Sequence, residues 1–180
     1  RLGKQRPRTA GGVGLAAIQF AKAAGLTVVG TAGSETGKNL VQHHGADHVL
    51  DHHDSQHLEH ALELTNGNGY NLILEMLANV NLGNDLRLLA KFGRVVVIGS
   101  RGEVTINPRD LMGRDASIVG MTLMNMADDE REKVHRGIAE GIAGGIVVPV
   151  ISAELPLSEA PKAHKDVIES STNGKIVLNP

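Results

Sequence analysis

The sequence predicts an α/β protein built on a doubly wound parallel sheet. Three observations predict it. Glycines crowd the start of Ala10–Gly25, AGGVGLAAIQFAKAAG, and Leu15–Ala24 then runs without a helix breaker. Short apolar runs alternate with helical patterns down the chain, at the spacing of βαβ units. Glycines at positions 25, 45, 67 and 69 mark the joins between them.

The glycine-rich stretch reads as a tight turn feeding a helix that starts near Gly12. Gly11 lets backbone approach a bulky anion, and Gly14 lets the first helical turn pack close to a strand. The free N–H groups and the positive end of such a helix suit a pyrophosphate. The spacing is a variant of G-x-G-x-x-G, with Thr9, Gly11 and Gly14 at the three glycine positions. A small-residue helix start that binds nothing fits the same residues, so context must decide.

The elements supply that context. Thr27–Thr31 reads as a buried parallel strand, and Glu35–His44 as a helix ended by Gly45. His48–Asp51 is a short strand and Ser55–Thr65 a helix with Ser55 as N-cap. Leu72–Glu75 is a strand, Leu82–Lys91 a helix and Arg94–Ile98 an apolar strand. Ser117–Leu123 is a further strand and Asp128–Gly141 a helix. The Ala10–Gly14 turn, Thr31, Glu75–Asn81, Ile98–Arg101 and Met121–Leu123 all fall at carboxyl ends of strands. Ligands bind at that edge of an open α/β sheet. The motif sits where a Rossmann-type fold needs it.

Two stretches fit less well. A dinucleotide turn follows a buried apolar strand, yet RLGKQRPRT carries Lys4, Arg6 and Arg8, and Pro7 cannot donate to a ladder. The first strand is therefore expected to be missing or replaced. After Gly145, Val147–Leu155 looks extended, with Pro149 and Pro156 confining it to an edge. Ser158 caps a helix to about Ser170, and Thr172–Gly174 turns into a last strand, Lys175–Leu178. The expected organisation is an atypical segment 1–9, a dinucleotide domain 10–145 and a return segment 146–180.

Composition narrows the function classes. Hydrophobic residues make up 41% of the chain and charged residues 21%, as in a globular protein. Net charge is −2, so no general attraction to nucleic acid or an anionic membrane is expected. With one Tyr, two Phe and no Trp, few surfaces offer themselves to bases. The absence of cysteine excludes disulfides and thiolate metal sites. No apolar run approaches a membrane span, and a cytoplasmic protein is expected.

AGGVGLAAIQFAKAAG, GTAGSETGKNLV, GADHVLDHH, EMLANVNLGNDLRLL, GRVVVIGSRG and INPRDLM, in that order, resemble the medium-chain dehydrogenase/reductase superfamily. Within it they resemble the zinc-free quinone oxidoreductases of the zeta-crystallin type, from about Ala10 to Leu178. The resemblance implies NADPH-dependent reduction of quinones, typically by one-electron steps, in a cytosolic homotetramer. It also implies a separate role as a lens crystallin. Binding of AU-rich RNA is carried by the resemblance alone, without support from composition. Members of that branch place a catalytic domain before the cofactor domain, and this chain is expected to supply the cofactor part. A non-catalytic nucleotide-binding or crystallin-like module is the alternative.

The resemblance also implies the cofactor contacts. Ala10, Gly11, Gly12 and Val13 form the pyrophosphate turn. Gly33 lies beside the adenosine ribose and His52 near the adenine. Asn81 follows the fourth strand, although a helix cap suits it equally. Ile98, Gly99, Ser100 and Arg101 follow the fifth, near the nicotinamide, and Met121, Thr122 and Leu123 end the sixth. A polar loop and core packing are the plainer readings of these last two groups. No general acid, base or nucleophile stands out, and Arg101 would either steady charge on a reduced quinone or form a structural ion pair.

The end of the second strand bears on the cofactor. NAD sites place Asp or Glu there for the ribose 2′-hydroxyl. Here Val29–Ser34 holds no acid. A 2′-phosphate is not repelled, and Ser34 and Lys38 are placed to reach it, while Glu35 argues the other way. NADPH is expected over NADH. Seven of the nine histidines fall between His43 and His60. His53, His57 and His60 would share a helix face, as metal ligands or as a solvated surface; the latter is expected, with no bound metal. Ser117–Leu123 is a candidate sheet edge for pairing with a second copy in a homo-oligomer.

Overall fold

In the computed structural model of the chain, the described residues are 9–169 and 173–180. The expectation of a missing or replaced first strand falls on residues 1–8 and lies outside them. The elements are α1 (Gly12–Ala23), β1 (Val29–Thr31), α2 (Glu35–His43), β2 (His48–Leu50), α3 (His57–Glu63), β3 (Tyr70–Glu75) and α4 (Ala78–Leu88). They continue with β4 (Leu89–Val97), α5 (Pro108–Met112), β5 (Ser117–Gly120), α6 (Asp128–Ala143), β6 (Ile151–Pro156), α7 (Ala160–Glu169) and β7 (Lys175–Asn179). Every pairing between these strands is parallel, as the βαβ alternation predicts. No described helix is long and apolar enough to cross a membrane.

The chain divides into two compact units. The first takes in the described residues of Arg1–His52 and Glu132–Pro180. Its β1 pairs with β2, Val29 opposite His48 and Thr31 opposite Leu50. Its β7 pairs with β6, Lys175 opposite Ile151 and Asn179 opposite Pro156. Leu15 and Ile18 of α1 close on Ala32, Val41 and Ala46, all buried. Their spacing in α1 is one face of a helix. Ser34 caps α2, its hydroxyl accepting from the Gly37 amide at 3.1 Å. Gly45, at φ +108°, ends that helical stretch one residue after its C-cap, His44.

The second unit is His53–Arg131, with strand order β3-β4-β5. Leu82 and Leu86 of α4 pack with Leu89 and Val95 of β4 in its core. Two of its helices differ from the sequence reading. The helix expected over Leu82–Lys91 starts earlier and stops at Leu88, because Leu89 already pairs with Tyr70 across β3 and β4. Helix-forming Leu and Lys are overridden there by the sheet. The helix expected from Ser55 starts at His57, since the Asp54 carboxylate first accepts the Gln56 amide at 2.9 Å in a turn.

Arg114 finishes these helix ends. Its guanidinium donates to the Leu89 carbonyl at 2.8 Å, the Arg87 carbonyl at 2.9 Å and the Asp110 carbonyl at 3.2 Å. Carbonyls that α4 and α5 leave open thereby gain a charged donor. Arg114→Ala is expected to destabilise the chain by about 2–3 kcal/mol, the cost of leaving such carbonyls unpaired. Urea unfolding of the two proteins checks it.

Candidate functional site

The turn expected to hold a pyrophosphate lies in the first unit. Gly11 is the N-cap of α1, with extended backbone and no capping side chain, and the first turn holds no acid. The first amides of α1 are thus left without an intrahelical acceptor, at the positive end of the helix. Gly14 is required by contact: a Cβ there would lie 2.2 Å from the Thr9 carbonyl oxygen. Thr9 is held in turn by its hydroxyl, which accepts the Thr31 amide of β1 at 3.1 Å. Ala10 is buried and Val13 half exposed.

The last strand reaches this turn. Gly11 forms a parallel bridge with Gly174, whose amide donates to the Ala10 carbonyl at 3.1 Å. Lys175 follows, and a Cβ at Gly12 would lie 2.3 Å from its Cε and 3.0 Å from its Nζ. The ammonium therefore lies over the helix start, and among the described residues it has no ion-pair partner. Uncapped amides, a helix dipole and an ammonium suit a pyrophosphate. The sequence reading missed Lys175 because only a contact 163 residues distant (175 minus 12) brings it to Gly12. The Gly-Lys pair before an apolar run gave no local signal.

Gly33 stands between β1 and α2. Lys38 of α2 bonds Glu35 at 2.9 Å and approaches Asp51 at 3.7 Å. Glu35, by hydrogen bond and charge, and then Asp51 raise the Lys38 ammonium above its ordinary value. Any 2′-phosphate must compete with Glu35 for this lysine. His52 follows β2, half buried.

The second unit holds the remaining expected residues at the carboxyl ends of its strands. An open cleft of about 490 Å³ is lined by Val97, Ile98, Gly99, Ser100, Gly120, Met121, Thr122 and Asn125. Five of these were expected from sequence; Arg101 and Leu123 do not line it. The strand expected through Leu123 ends at Gly120, and Leu123–Asn125 form a 3-10 turn that brings Asn125 in. Arg101 is fixed through its amide, which donates to Asn79 at 2.9 Å. Asn81 is a residue of α4, not its cap, and donates to the Glu75 carboxylate at 3.2 and 3.3 Å.

Residues 12–140 match the family model described as zinc-binding dehydrogenase. The chain belongs to that family. It is 46% identical to quinone oxidoreductase of Rattus norvegicus over 169 residues, which is 93% of this chain and 51% of that protein. It thus spans about half the length of the curated relatives it matches. Among solved structures it resembles an NAD-dependent alcohol dehydrogenase, at TM-score 0.86 and 29% identity, covering 96% of this chain and 49% of the other. It also resembles the quinone oxidoreductase of Pseudomonas syringae pv. Tomato DC3000, at TM-score 0.85 and 25% identity, covering 98% and 58%.

Zinc has no ligand set here: among the described residues no three His, Cys, Asp or Glu side chains gather to hold a metal. His53 lies outside α3, so the three-histidine helix face does not form. The His57 Nδ1 sits 2.6 Å from the Asp54 carbonyl, and His60 pairs with the Asp54 carboxylate at 3.5 Å.

Lys175→Met is expected to weaken binding of NADPH and NADH alike, by about tenfold, the worth of one charge-assisted contact. Fluorescence titration of both nucleotides checks it.

Proposed function

We propose that this chain binds NADP(H) and forms the cofactor domain of an NADPH-dependent quinone reductase. The observation that carries the proposal is the 46% identity to a quinone oxidoreductase over 93% of this chain. The turn fits the cofactor by its own geometry: the first α1 amides have no capping side chain, and Lys175 supplies positive charge. Ser34 and Lys38 receive the 2′-phosphate. No acid stands at the end of β1 to favour a bare 2′-hydroxyl.

When bound, the nicotinamide supplies the reducing electrons for a quinone. The residues of this chain bind, orient and shield. In the second unit, Ser100, Thr122 and Asn125 give the cleft its polar groups, and Val97, Ile98 and Met121 its apolar wall. That mixture suits a flat ring with polar substituents. β5 is the outer strand of its sheet, and pairing of two copies there would give the homo-oligomer that the resemblance implies.

Titration with the two nucleotides is expected to show saturable binding that favours NADPH. Equal affinities would remove the NADPH assignment, and no binding to either would remove the cofactor reading. Ser34→Asp is expected to weaken NADPH much more than NADH. Glu35→Gln frees Lys38 and is expected to tighten NADPH alone by about two- to fivefold, the range of an exposed ion pair.

A further inference from the structure

Two carboxyl groups lie side by side inside the second unit. Glu75, the last residue of β3, is 5% exposed and Asp85 of α4 is 8% exposed. Among the described residues neither has an ion-pair partner. Two adjacent buried carboxylates cannot both ionise cheaply, so a proton is retained.

The hydrogen bonds say where that proton sits. The Glu75 carboxylate accepts from the Leu77 amide and from the Asn81 side chain. A group that accepts from several donors is the ionised one. Asp85 lies against Glu75, and its Oδ2 is buried with no other hydrogen-bond partner. Asp85 is thus the acid, donating to Glu75.

Glu75 also anchors the cleft by its backbone. Its carbonyl accepts from the Ile98 amide at 2.8 Å and the Gly99 amide at 3.2 Å, while the Gly99 carbonyl accepts from Ala78 at 2.9 Å. One residue therefore ties the Met76–Ala78 connection to the Ile98–Gly99 lining of the cleft. We propose that Glu75 and Asp85 are a proton-sharing positioning pair that fixes these two loops, so that loss of the shared proton loosens the cleft edge. The consequence for nucleotide binding rests on the proposed function; the pair itself does not.

Burial first, then the charge of Glu75 and its hydrogen bond, push the Asp85 carboxyl up to about 8. The other titratable groups around α4 are engaged elsewhere or face solvent. On α4 and α5, Arg87 pairs with Asp110 at 3.6 Å, and Arg109 is exposed. On α3, His57 and His60 turn to Asp54, and Glu59 and Glu63 are exposed. On β3 and β4, Tyr70 donates to the Ala61 carbonyl, Arg94 to Ser117, and Lys91 is exposed. An unfolded aspartate titrates near about 3.9. The folded group binds its proton more tightly, so the stability it contributes is full below that value. It falls as pH rises and is lost on passing about 8.

Thermal unfolding of the chain from about pH 6 to about pH 9, without nucleotide, tests the pair. The midpoint of the wild type is expected to fall by roughly 5 °C more than that of Asp85→Asn, whose neutral amide keeps the shape and the donor. Amide exchange at Leu77, Ile98 and Gly99, corrected for intrinsic rates, should quicken over the same range in the wild type only. Parallel midpoints for the two proteins would overturn the proposal. Should Asp85→Asn not fold, Glu75→Gln decides: it relieves the repulsion and moves the fall to lower pH, whereas an unmoved profile overturns the pair. NADPH affinity over the same pH range is a separate readout. A chain that shows the thermal difference but binds no nucleotide supports the pair and removes only the proposed function.

Discussion

Backbone pressed on backbone governs the nucleotide end of this chain. The Thr9 carbonyl sits where any side chain at Gly14 would go. That contact lets α1 start at Gly12, which leaves its first amides bare beside the turn. It also lets Leu15 and Ile18 reach Ala32 and Val41. Binding geometry and core packing thus share one requirement, the absence of a Cβ. The Thr9 hydroxyl extends it to β1 by taking the Thr31 amide. Anion recognition here costs little extra order, since the same contacts are needed to close the core.

The second unit reaches a comparable edge by partly different means. Its loops are held by a buried acid at the end of β3 as well as by a close-packed glycine, since a Cβ at Gly99 would lie 2.4 Å from the Met76 carbonyl oxygen. Burying charge is expensive, and it is tolerated where several donors converge and a neighbour carries the compensating proton. The Glu75 carboxylate receives donors from the Leu77 amide and from Asn81 of α4. Close packing of glycine thus serves both units, and in the second the hydrogen bonds of a buried carboxylate are added to it.

Much of this was readable in the sequence because its signals are local. The helix start at Gly12, the cap at Ser34 and the break at Gly45 each follow from neighbouring residues. The carboxyl-end positions of Ile98–Ser100 and Met121–Thr122 follow from strand periodicity alone. Errors gathered where tertiary contact overrides propensity. Leu89–Lys91 read as helix until β3 claimed them as strand. Asp54 displaced the cap expected at Ser55. Lys175 and the Glu75–Asp85 pair had no local signature. The first depends on a distant return of the chain, and the second on the face that α4 turns inward.

The bridge between Gly11 and Gly174 joins residues from opposite ends of the chain. During synthesis, the turn at Gly12 is made before Lys175 and stays without its lysine until Gly174 and Lys175 have followed. Local helix and hairpin events take microseconds, while translation adds about 5–20 residues per second. The nascent chain thus waits several seconds or more with a half-built anion cradle. Nucleotide would be held more tightly by chains in which β7 has docked, which makes ligand retention a report on that docking.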